Sequence, residues 1–509
     1  MKNLIFDSTI VVTACTSGDG AQEIGRLIKK VQNSDGRIWI YLAQISEILK
    51  EIESQENIQW DNGNPVAREL LKKFTQGCSW LAVLSEDIGG LDESDPMGAS
   101  LRMAASRLGQ DTVVVTDRSS RLERGHPFID VETACKETVN ERKIQFIDLN
   151  SQQDRVRQTL ERNIHRVLHH GQYVMGPEVA ELESCLAEFV GVNHCICVSS
   201  GTDSLLVAMM SLGIGRGHEV VTTPFTFFAA AETIRLLGAK PVYVDIDPKS
   251  YNIDSAQLED AISTRTRAIL PVSLFGQCCD MDQINEIALN HGLPVIEDAA
   301  QSFGASYKSR RSCGLSTIGC TSFFPAKPLG AYGDAGACLT HDAGLAHAMR
   351  EIRDHGQGGR YQHVRIGING RMDSLQAGVL LSKMSIFDDE LDQRNKVARR
   401  YSDLLGQAAL EDELKLPFVE SYNMSSWAQY TVEVNRRELI QERMSSGGIP
   451  TAVHYPLPVY AQPAILQKNL DHLNTEKAVR RVMSLPMHPY LNYSTQQRVA
   501  EFLIDAIKS

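Results

Sequence analysis

Apolar runs alternate with amphipathic helical stretches along most of the 509-residue chain. From residue 194 onwards the apolar runs predict six strands, at 194–198, 219–223, 241–245, 268–272, 294–298 and 319–324. Helical stretches separate most of these strands, as the crossovers of a parallel sheet require. From about residue 387 the pattern changes to a long helix and then to mixed helices and strands. The chain is therefore predicted to hold an α/β fold with a mainly parallel sheet and a smaller C-terminal α+β lobe.

The first 140 residues show the same alternation on a smaller scale. Apolar runs at 4–12, 37–41 and 112–116 predict strands, and the stretches 45–52, 66–74 and 97–108 predict helices. The polar stretch 137–143 has no apolar stripe and suits a linker. We therefore expect a small α/β domain with a parallel sheet at 1–140, a linker at 141–146, a large domain at 147–385 and a small domain at 386–509.

The composition of the chain argues against several classes of protein. No apolar run reaches the length of about eighteen residues that a membrane span needs, and Asp7 interrupts the N-terminus before a signal-peptide core can form, so a cytoplasmic protein is expected. A net charge of −12 argues against a chain that binds nucleic acid as a whole. The eleven scattered cysteines have neither a disulfide spacing nor a zinc spacing, and most are expected to be buried thiols.

A turn of small residues follows the strand at 194–198. It consists of Ser199, Ser200, Gly201, Thr202 and Asp203, and it opens a predicted helix. The first turn of a helix presents free N–H groups and the positive end of the helix dipole, which suits a phosphate. An ordinary helix cap made by Ser, Thr or Asp is the alternative.

Three further features follow along the same part of the chain. Phe227 and Phe228 form an aromatic pair that either stacks on a cofactor or packs in the core. Asp298 ends an apolar strand, where ligands of open α/β sheets bind, although a helix cap is equally common there. Lys327 lies between an apolar strand and a Pro/Gly loop, and desolvation there lowers the pKa of an amine towards that of a nucleophile. A solvated surface lysine is the alternative.

The order of these features resembles fold type I enzymes that use pyridoxal 5′-phosphate (PLP). Five phrases resemble the nucleotide-sugar aminotransferases of the DegT/DnrJ/EryC family: GPEVAELE (176–183), GTD (201–203), GAKPVYVDID (238–247), EDAAQSFGA (297–305) and NGRMDSLQA (369–377). The resemblance covers about residues 144–509. Within the family the chain most resembles bacterial enzymes that aminate UDP-2-acetamido-2-deoxy-3-oxo-glucuronic acid for surface-polysaccharide assembly, including lipopolysaccharide. The phrases VSLFGQ (272–277), FFPAKPLG (323–330), HGQGGRYQH (355–363), PTAVHYP (450–456) and SLPMHP (484–489) carry this closer likeness.

The resemblance implies a role for each matching residue. Lys327 would form a Schiff base with PLP and shuttle the proton, and Asp298 would keep the pyridine nitrogen protonated. The remaining cofactor contacts would be Gln301 beside the ring hydroxyl, Phe227 on the ring face, and Gly201, Thr202, Ser322 and the partner subunit's Asn369 at the phosphate. Ala326 departs from the family, whose members often have a hydroxyl residue before the lysine.

The resemblance also implies the substrates. Arg371, His454 and Tyr455 would approach the sugar, and the Arg371 guanidinium suits a uronic carboxylate. An amino acid, expected to be glutamate, would donate the amino group, and the use of Asn369 across a subunit boundary implies a homodimer. The alternatives are a PLP-binding regulator without turnover and a 4-keto sugar aminotransferase of the same family.

The first 140 residues resemble a PIN-like domain, a fold of metal-dependent ribonucleases. The likeness implies that Asp7, Glu47, Asp95 and Asp117 hold Mg²⁺ or Mn²⁺ and that RNA is a partner of this domain. A degenerate domain that serves as an interaction module is the alternative, because acids in such positions are more often caps or surface groups.

Overall fold

The computed structural model describes residues 144–408, 410, 412–467 and 470–509, together with the backbone of five short strands in the first 143 residues. The chain divides into two compact units, Met1–Lys143 and Ile144–Ser509. The bounds expected for the linker and for the large and small domains stay predictions.

The described strands of the first unit form one parallel sheet. They are β1 (Asn3–Phe6), β2 (Ile38–Tyr41), β3 (Ser79–Leu81), β4 (Thr112–Val115) and β5 (Phe128–Ile129). Their spatial order is β3-β2-β1-β4-β5, and every described pair is parallel, as expected. The PIN-like domain and its metal site stay predictions, because Asp7, Glu47, Asp95, Asp117 and the three predicted helices lie outside the described residues.

The second unit is built on a seven-stranded sheet. Its strands are β6 (His194–Val198), β7 (Glu219–Thr222), β8 (Lys240–Tyr243), β9 (Thr266–Leu270), β10 (Ile296–Asp298), β13 (Ile318–Ser322) and β14 (Gly336–Thr340). Parallel bridges from Ile269 to Val295 and from Val272 to Asp298 join β9 to β10, which gives the order β8-β7-β9-β10-β13-β14-β6. Within this sheet β14 alone runs antiparallel to its neighbours. The predicted α/β fold with a mainly parallel sheet is confirmed.

Strand β14 is the one strand of this sheet that the sequence pattern missed. It is a short run of mostly small residues, and the chain enters it from β13 through a loop without a helix. Close packing explains the small residues, since a Cβ atom on Gly336 would lie 2.4 Å from the carbonyl oxygen of Ser200.

Helices cover both faces of the sheet, and most residues of its strands are therefore buried. The helices of the unit are α1 (Leu149–His170), α2 (Pro177–Val190), α3 (Gly201–Ser211), α4 (Ala229–Leu236), α5 (Leu258–Ala261), α6 (Met281–Asn290), α7 (Ala343–Arg353), α8 (Ser374–Gly406), α9 (Arg437–Ser446), α10 (Leu473–Arg481) and α11 (Tyr493–Lys508). Single 3₁₀ turns occur at Ser255–Gln257, Leu274–Gly276 and Val459–Ala461. Among the described helices, none has an apolar stretch long enough to cross a membrane.

Helix α8 runs without a break through residue 385, where the boundary between the large and small domains is predicted. An antiparallel sheet of β17 (Leu414–Lys415), β19 (Tyr430–Val434) and β20 (Val482–Leu485) packs with α8 and α11 around a second apolar core. The other strands are β11 (Ser306–Tyr307), β12 (Arg310–Arg311), β15 (Gln357–Gly359), β16 (Gln362–His363) and β18 (Asn423–Met424). The segment after β19, which contains His454 and Tyr455, returns to the large sheet and brings both lobes to one site.

Candidate active site

The carboxyl ends of β10 and β13 lie side by side and carry two of the predicted site residues. Asp298 is the last residue of β10, and it pairs in register with Cys320 of β13, two residues before Ser322 ends that strand. Parallel strands end at the same edge of a sheet, so the residues that follow them share one crevice. Lys327 lies in the loop after β13.

A buried carboxylate and a partly buried amine act on each other in this crevice. Asp298 is 7% exposed, and its Oδ1 accepts a hydrogen bond of 3.0 Å from the N–H of Ala300. Burial raises the pKa of Asp298, while this N–H and the positive charge of Lys327 oppose the rise. Burial lowers the pKa of Lys327, and the negative charge of Asp298 opposes the fall. The lysine is therefore a desolvated amine, as expected, and its carboxylate neighbour both caps the following turn and faces the site.

Gln301 connects the sheet to the loop of the smaller lobe. Its Oε1 accepts from the N–H of Phe275 at 2.9 Å, and its Nε2 donates to the Tyr455 hydroxyl at 3.0 Å. Burial and the charge of Asp298 raise the pKa of Tyr455, so its hydroxyl stays protonated near neutral pH. The ring of Phe227 lies 6.0 Å from the ring of Tyr455, and Phe227 is 56% exposed. The aromatic pair is thus split, because Phe228 packs against an apolar cluster while Phe227 is mostly exposed beside Tyr455.

His454 lies on the same loop and is held as a neutral ring. Its Nδ1 lies 3.0 Å from the hydroxyl of Ser484 on β20. Burial, together with the positive charge of Lys327, lowers the pKa of His454 to about 4. A neutral imidazole can accept or donate a hydrogen bond here without adding a second positive charge near Lys327.

The predicted phosphate turn caps α3. The Ser200 hydroxyl accepts from the N–H of Asp203 at 3.0 Å, which orders the first turn of the helix. Gly201 lies directly against Ser322, and a Cβ atom on Gly201 would be 2.5 Å from the Cβ of Ser322. A side chain at position 201 would therefore occupy the space between the turn and β13. Gly201 and Ser322 thus lie together, and Thr202 follows in the first turn of α3; their contact with a phosphate at this helix N-terminus stays a prediction.

Asn369 and Arg371 flank Gly370, which bonds to the residue that begins this turn. The Ser199 N–H donates to the carbonyl of Gly370 at 2.9 Å, which fixes the segment next to the phosphate turn. Asn369 itself is exposed. The Arg371 guanidinium donates to Asp354 Oδ1 at 2.6 Å, and its buried Nε has no hydrogen-bond partner among the described residues.

Three supporting residues of the site were not predicted from the sequence. Ser200 belongs to the turn that the sequence predicted, and it acts as the helix cap that was given as the alternative there. The three residues that were not predicted contact residues that are not their neighbours in sequence. The Phe275 N–H bonds to Gln301, the Ser484 hydroxyl to His454 and the Asp354 carboxylate to Arg371. No local pattern reveals such pairs.

The described residues fit PLP by their chemistry. The site offers a buried carboxylate for a ring nitrogen, a desolvated amine for the aldehyde carbon, a helix N-terminus for the phosphate and an exposed aromatic face for the ring. The fit rests on Asp298, Lys327, Gly201 and Phe227.

Comparison with known proteins points in the same direction. A profile of the DegT/DnrJ/EryC1/StrS aminotransferase family matches residues 154–504. A UDP-2-acetamido-2-deoxy-3-oxo-D-glucuronate aminotransferase of Pseudomonas aeruginosa is 55% identical over 349 residues, which are 69% of this chain and 96% of the relative.

Two solved structures are similar as well. A crystal structure of a DegT DnrJ EryC1 StrS aminotransferase from Brucella abortus is 41% identical, the match covers 72% of this chain and 100% of that chain, and the TM-score is 0.69. NtdA from Bacillus subtilis, solved with bound cofactor PMP, is 28% identical, covers 81% of this chain and 98% of its own, and has a TM-score of 0.66. The region matched by the profile contains every residue predicted for the cofactor and the sugar.

Proposed function

The chain belongs to the DegT/DnrJ/EryC1/StrS aminotransferase family, and we propose that it transfers an amino group from glutamate to a 3-oxo uronic acid carried on UDP. The Pseudomonas aeruginosa relative, whose name gives this sugar, supports the choice because it is 55% identical over 96% of its length. The observation that carries the proposal is the paired burial of Asp298 and Lys327 at the edge of the sheet. The role of the product in surface-polysaccharide assembly belongs to the same proposal.

PLP, when bound, supplies an electron sink for the carbon that exchanges its nitrogen. Lys327 would hold the cofactor through its Nζ atom and then, as a free amine of lowered pKa, move a proton to and from the substrate carbon. Asp298 would accept a hydrogen bond from the protonated ring nitrogen. The exposed ring of Phe227 would stack on the cofactor ring and orient it. Gln301 is fixed by Phe275 and Tyr455, so its position does not depend on the cofactor.

The direct test is a turnover assay on the purified full-length protein. Glutamate is supplied with a panel of UDP-linked and dTDP-linked 3-oxo and 4-oxo sugars, and the products are identified by mass spectrometry. We expect amination of the 3-oxo uronic acid, with glutamate consumed in equal amount. If only a 4-oxo sugar is aminated, the proposed substrate is wrong and the 4-oxo sugar takes its place. If the protein binds PLP but turns over no sugar of the panel, a regulator is favoured.

Arg371 is proposed to select the carboxylated sugar. A guanidinium pairs with a carboxylate through charge-assisted hydrogen bonds, and loss of such a bond changes kcat/KM by about tenfold or more. We expect the wild type to prefer the uronic acid to its neutral counterpart by at least about this factor, and Arg371→Ala to lose the preference. The measurement is kcat/KM for the two sugars.

The contact between Arg371 and Asp354 provides the matched control. Asp354→Asn removes the competing carboxylate and keeps the guanidinium. The preference should then be retained or increased. Equal kcat/KM for both sugars in the wild type would contradict a role of Arg371 in selection.

We also propose that a second copy of the chain completes the site. Asn369 is exposed, and so are the neighbouring Ile366 at 84%, Val364 at 61% and Tyr361 at 81%, an apolar surface that suits a subunit contact. If Asn369 binds the phosphate of the partner, subunits with Lys327→Ala and with Asn369→Glu will complement each other. Mixing the two inactive proteins under subunit exchange should restore about a quarter of the activity, because half of the dimers are mixed and each has one complete site. If no activity returns although mass spectrometry shows that subunits have exchanged, Asn369 belongs to the site of its own subunit.

A further inference from the structure

A second lysine, Lys383, is completely buried on α8 and has no part in the mechanism above. Its side chain is 0% exposed. The Nζ atom donates a hydrogen bond of 2.6 Å to the carbonyl oxygen of Gly330 and lies 4.2 Å from the centre of the Tyr332 ring. Burial of an amine is unfavourable unless it is hydrogen-bonded, so these two contacts are what make the buried position tenable.

The partners of Lys383 belong to the loop that carries Lys327. Gly330 follows Lys327 by three residues, and a Cβ atom on Gly330 would lie 2.5 Å from the carbonyl oxygen of Pro325. The loop is therefore folded tightly onto itself. Its own backbone bonds run from the Lys327 N–H to Phe324 at 2.9 Å and from the Ala331 N–H to Phe323 at 2.7 Å.

Helix α8 holds the end of this loop at a second point. Gln376 accepts from the Tyr332 N–H at 2.9 Å and donates to the Tyr332 carbonyl at 3.3 Å. Lys383 lies seven residues further along the same face of the helix, as two helical turns require. One rigid helix thus fixes the backbone of Tyr332 through an amide and the backbone of Gly330 through an amine.

We propose that Lys383 is a positioning residue that fixes the loop of Lys327 relative to Asp298, so that the reactive amine meets the cofactor and the substrate carbon at the right distance. The proposal rests on the proposed role of Lys327. Burial lowers the pKa of Lys383 to about 8, while the charge of Glu390 opposes the fall, and the amine donates to Gly330 in either protonation state. Small displacements of a reacting group reduce rates strongly, by up to about 100-fold for 1 Å.

Lys383→Met tests the proposal, because it keeps the length and volume of the side chain and removes the donor. Lys383→Met leaves the buried Gly330 carbonyl without this donor but also removes a buried amine, so Tm of the cofactor-free protein should fall by no more than a few degrees. We expect kcat to fall at least about tenfold at an unchanged KM for glutamate, and PLP to leave the holoenzyme about tenfold faster. Lys383→Arg, which keeps a donor and a cation, should recover part of both effects.

The matched control is Lys396→Met, the same substitution at an exposed position on the same helix. It should match the wild type in all measurements. Gln376→Leu provides a second variant if Lys383→Met does not fold, and it should change kcat and PLP release in the same direction. The proposal would be overturned if a folded Lys383→Met protein had the same kcat and the same rate of PLP release as the wild type. If only Gln376→Leu folds, unchanged values in that variant would overturn it. A wild type that binds no PLP would instead reject the proposed function itself.

Discussion

Lys327→Ala is expected to lower the rate of transamination by at least about 1,000-fold, because under the proposed role of Lys327 the variant loses both the covalent hold on PLP and the group that moves the proton. Burial already lowers the pKa of the Lys327 amine towards the range in which it can act as a nucleophile. The neutral His454 and the protonated Tyr455 cannot replace an amine that forms a bond to carbon. The measurement is kcat with glutamate and the 3-oxo sugar, together with the visible absorbance of the bound cofactor.

Borohydride reduction provides the decisive readout for Lys327. In the wild type we expect reduction to fix PLP to the peptide that contains Lys327. Lys396→Ala serves as the control, because Lys396 is an exposed lysine outside the site, and it should retain both the absorbance and the fixed cofactor. Cofactor fixed to the Lys327→Ala protein would show that another lysine does this chemistry.

Asp298→Asn is expected to lower the activity without lowering the thermal stability. The variant keeps an oxygen that can accept from the Ala300 N–H, but it removes the negative charge that would hold the ring nitrogen in its protonated form. We expect kcat to fall by about 100-fold or more, since loss of one preorganised charged contact in an active site has effects of this size. The absorbance spectrum of bound PLP should change as well, because the ring nitrogen loses its partner.

The stability of the same variant should change in the opposite direction. Burial raises the folded-state pKa of Asp298, so the unfolded chain releases this proton at lower pH than the folded protein does. Ionised Asp298 therefore destabilises the fold, and the destabilisation increases as the pH rises through the folded-state pKa. Neutral asparagine avoids it, and we expect Tm of the cofactor-free variant at pH 8 to equal or exceed that of the wild type.

Glu297→Gln is the matched control for Asp298→Asn. Glu297 is also a buried acid, and burial raises its pKa to about 7, but its oxygens accept from the Ser312 hydroxyl and the Cys313 N–H away from Lys327. This variant should retain the cofactor spectrum and most of the activity. A lowered Tm of Asp298→Asn in the pH range 7–8, or full activity of that variant, would contradict the assignment of Asp298.

The amino-acid sequence alone determined the local parts of the large domain. A strand that ends in an acid, a small-residue turn before a helix and a lysine in a Pro/Gly loop are each encoded within a few neighbouring residues. Such signals depend on backbone preferences, capping and strand periodicity, which act over short distances. Asp298, Lys327 and Gly201 were therefore identifiable, together with their order along the chain.

Only the tertiary structure decided how these parts meet. Gln301 bonds to Tyr455 across 154 residues, and Lys383 reaches Gly330 across 53 residues, because the loop after β19 and helix α8 fold back onto the large sheet. The ion pair of Arg371 with Asp354 depends on packing in the same way. Periodicity specifies which face of an element is buried, but the partner against which that face packs is selected by the shape and volume of the whole core. For this reason the sequence predicts the chemical groups of the candidate site, and the fold determines which residues hold them in place.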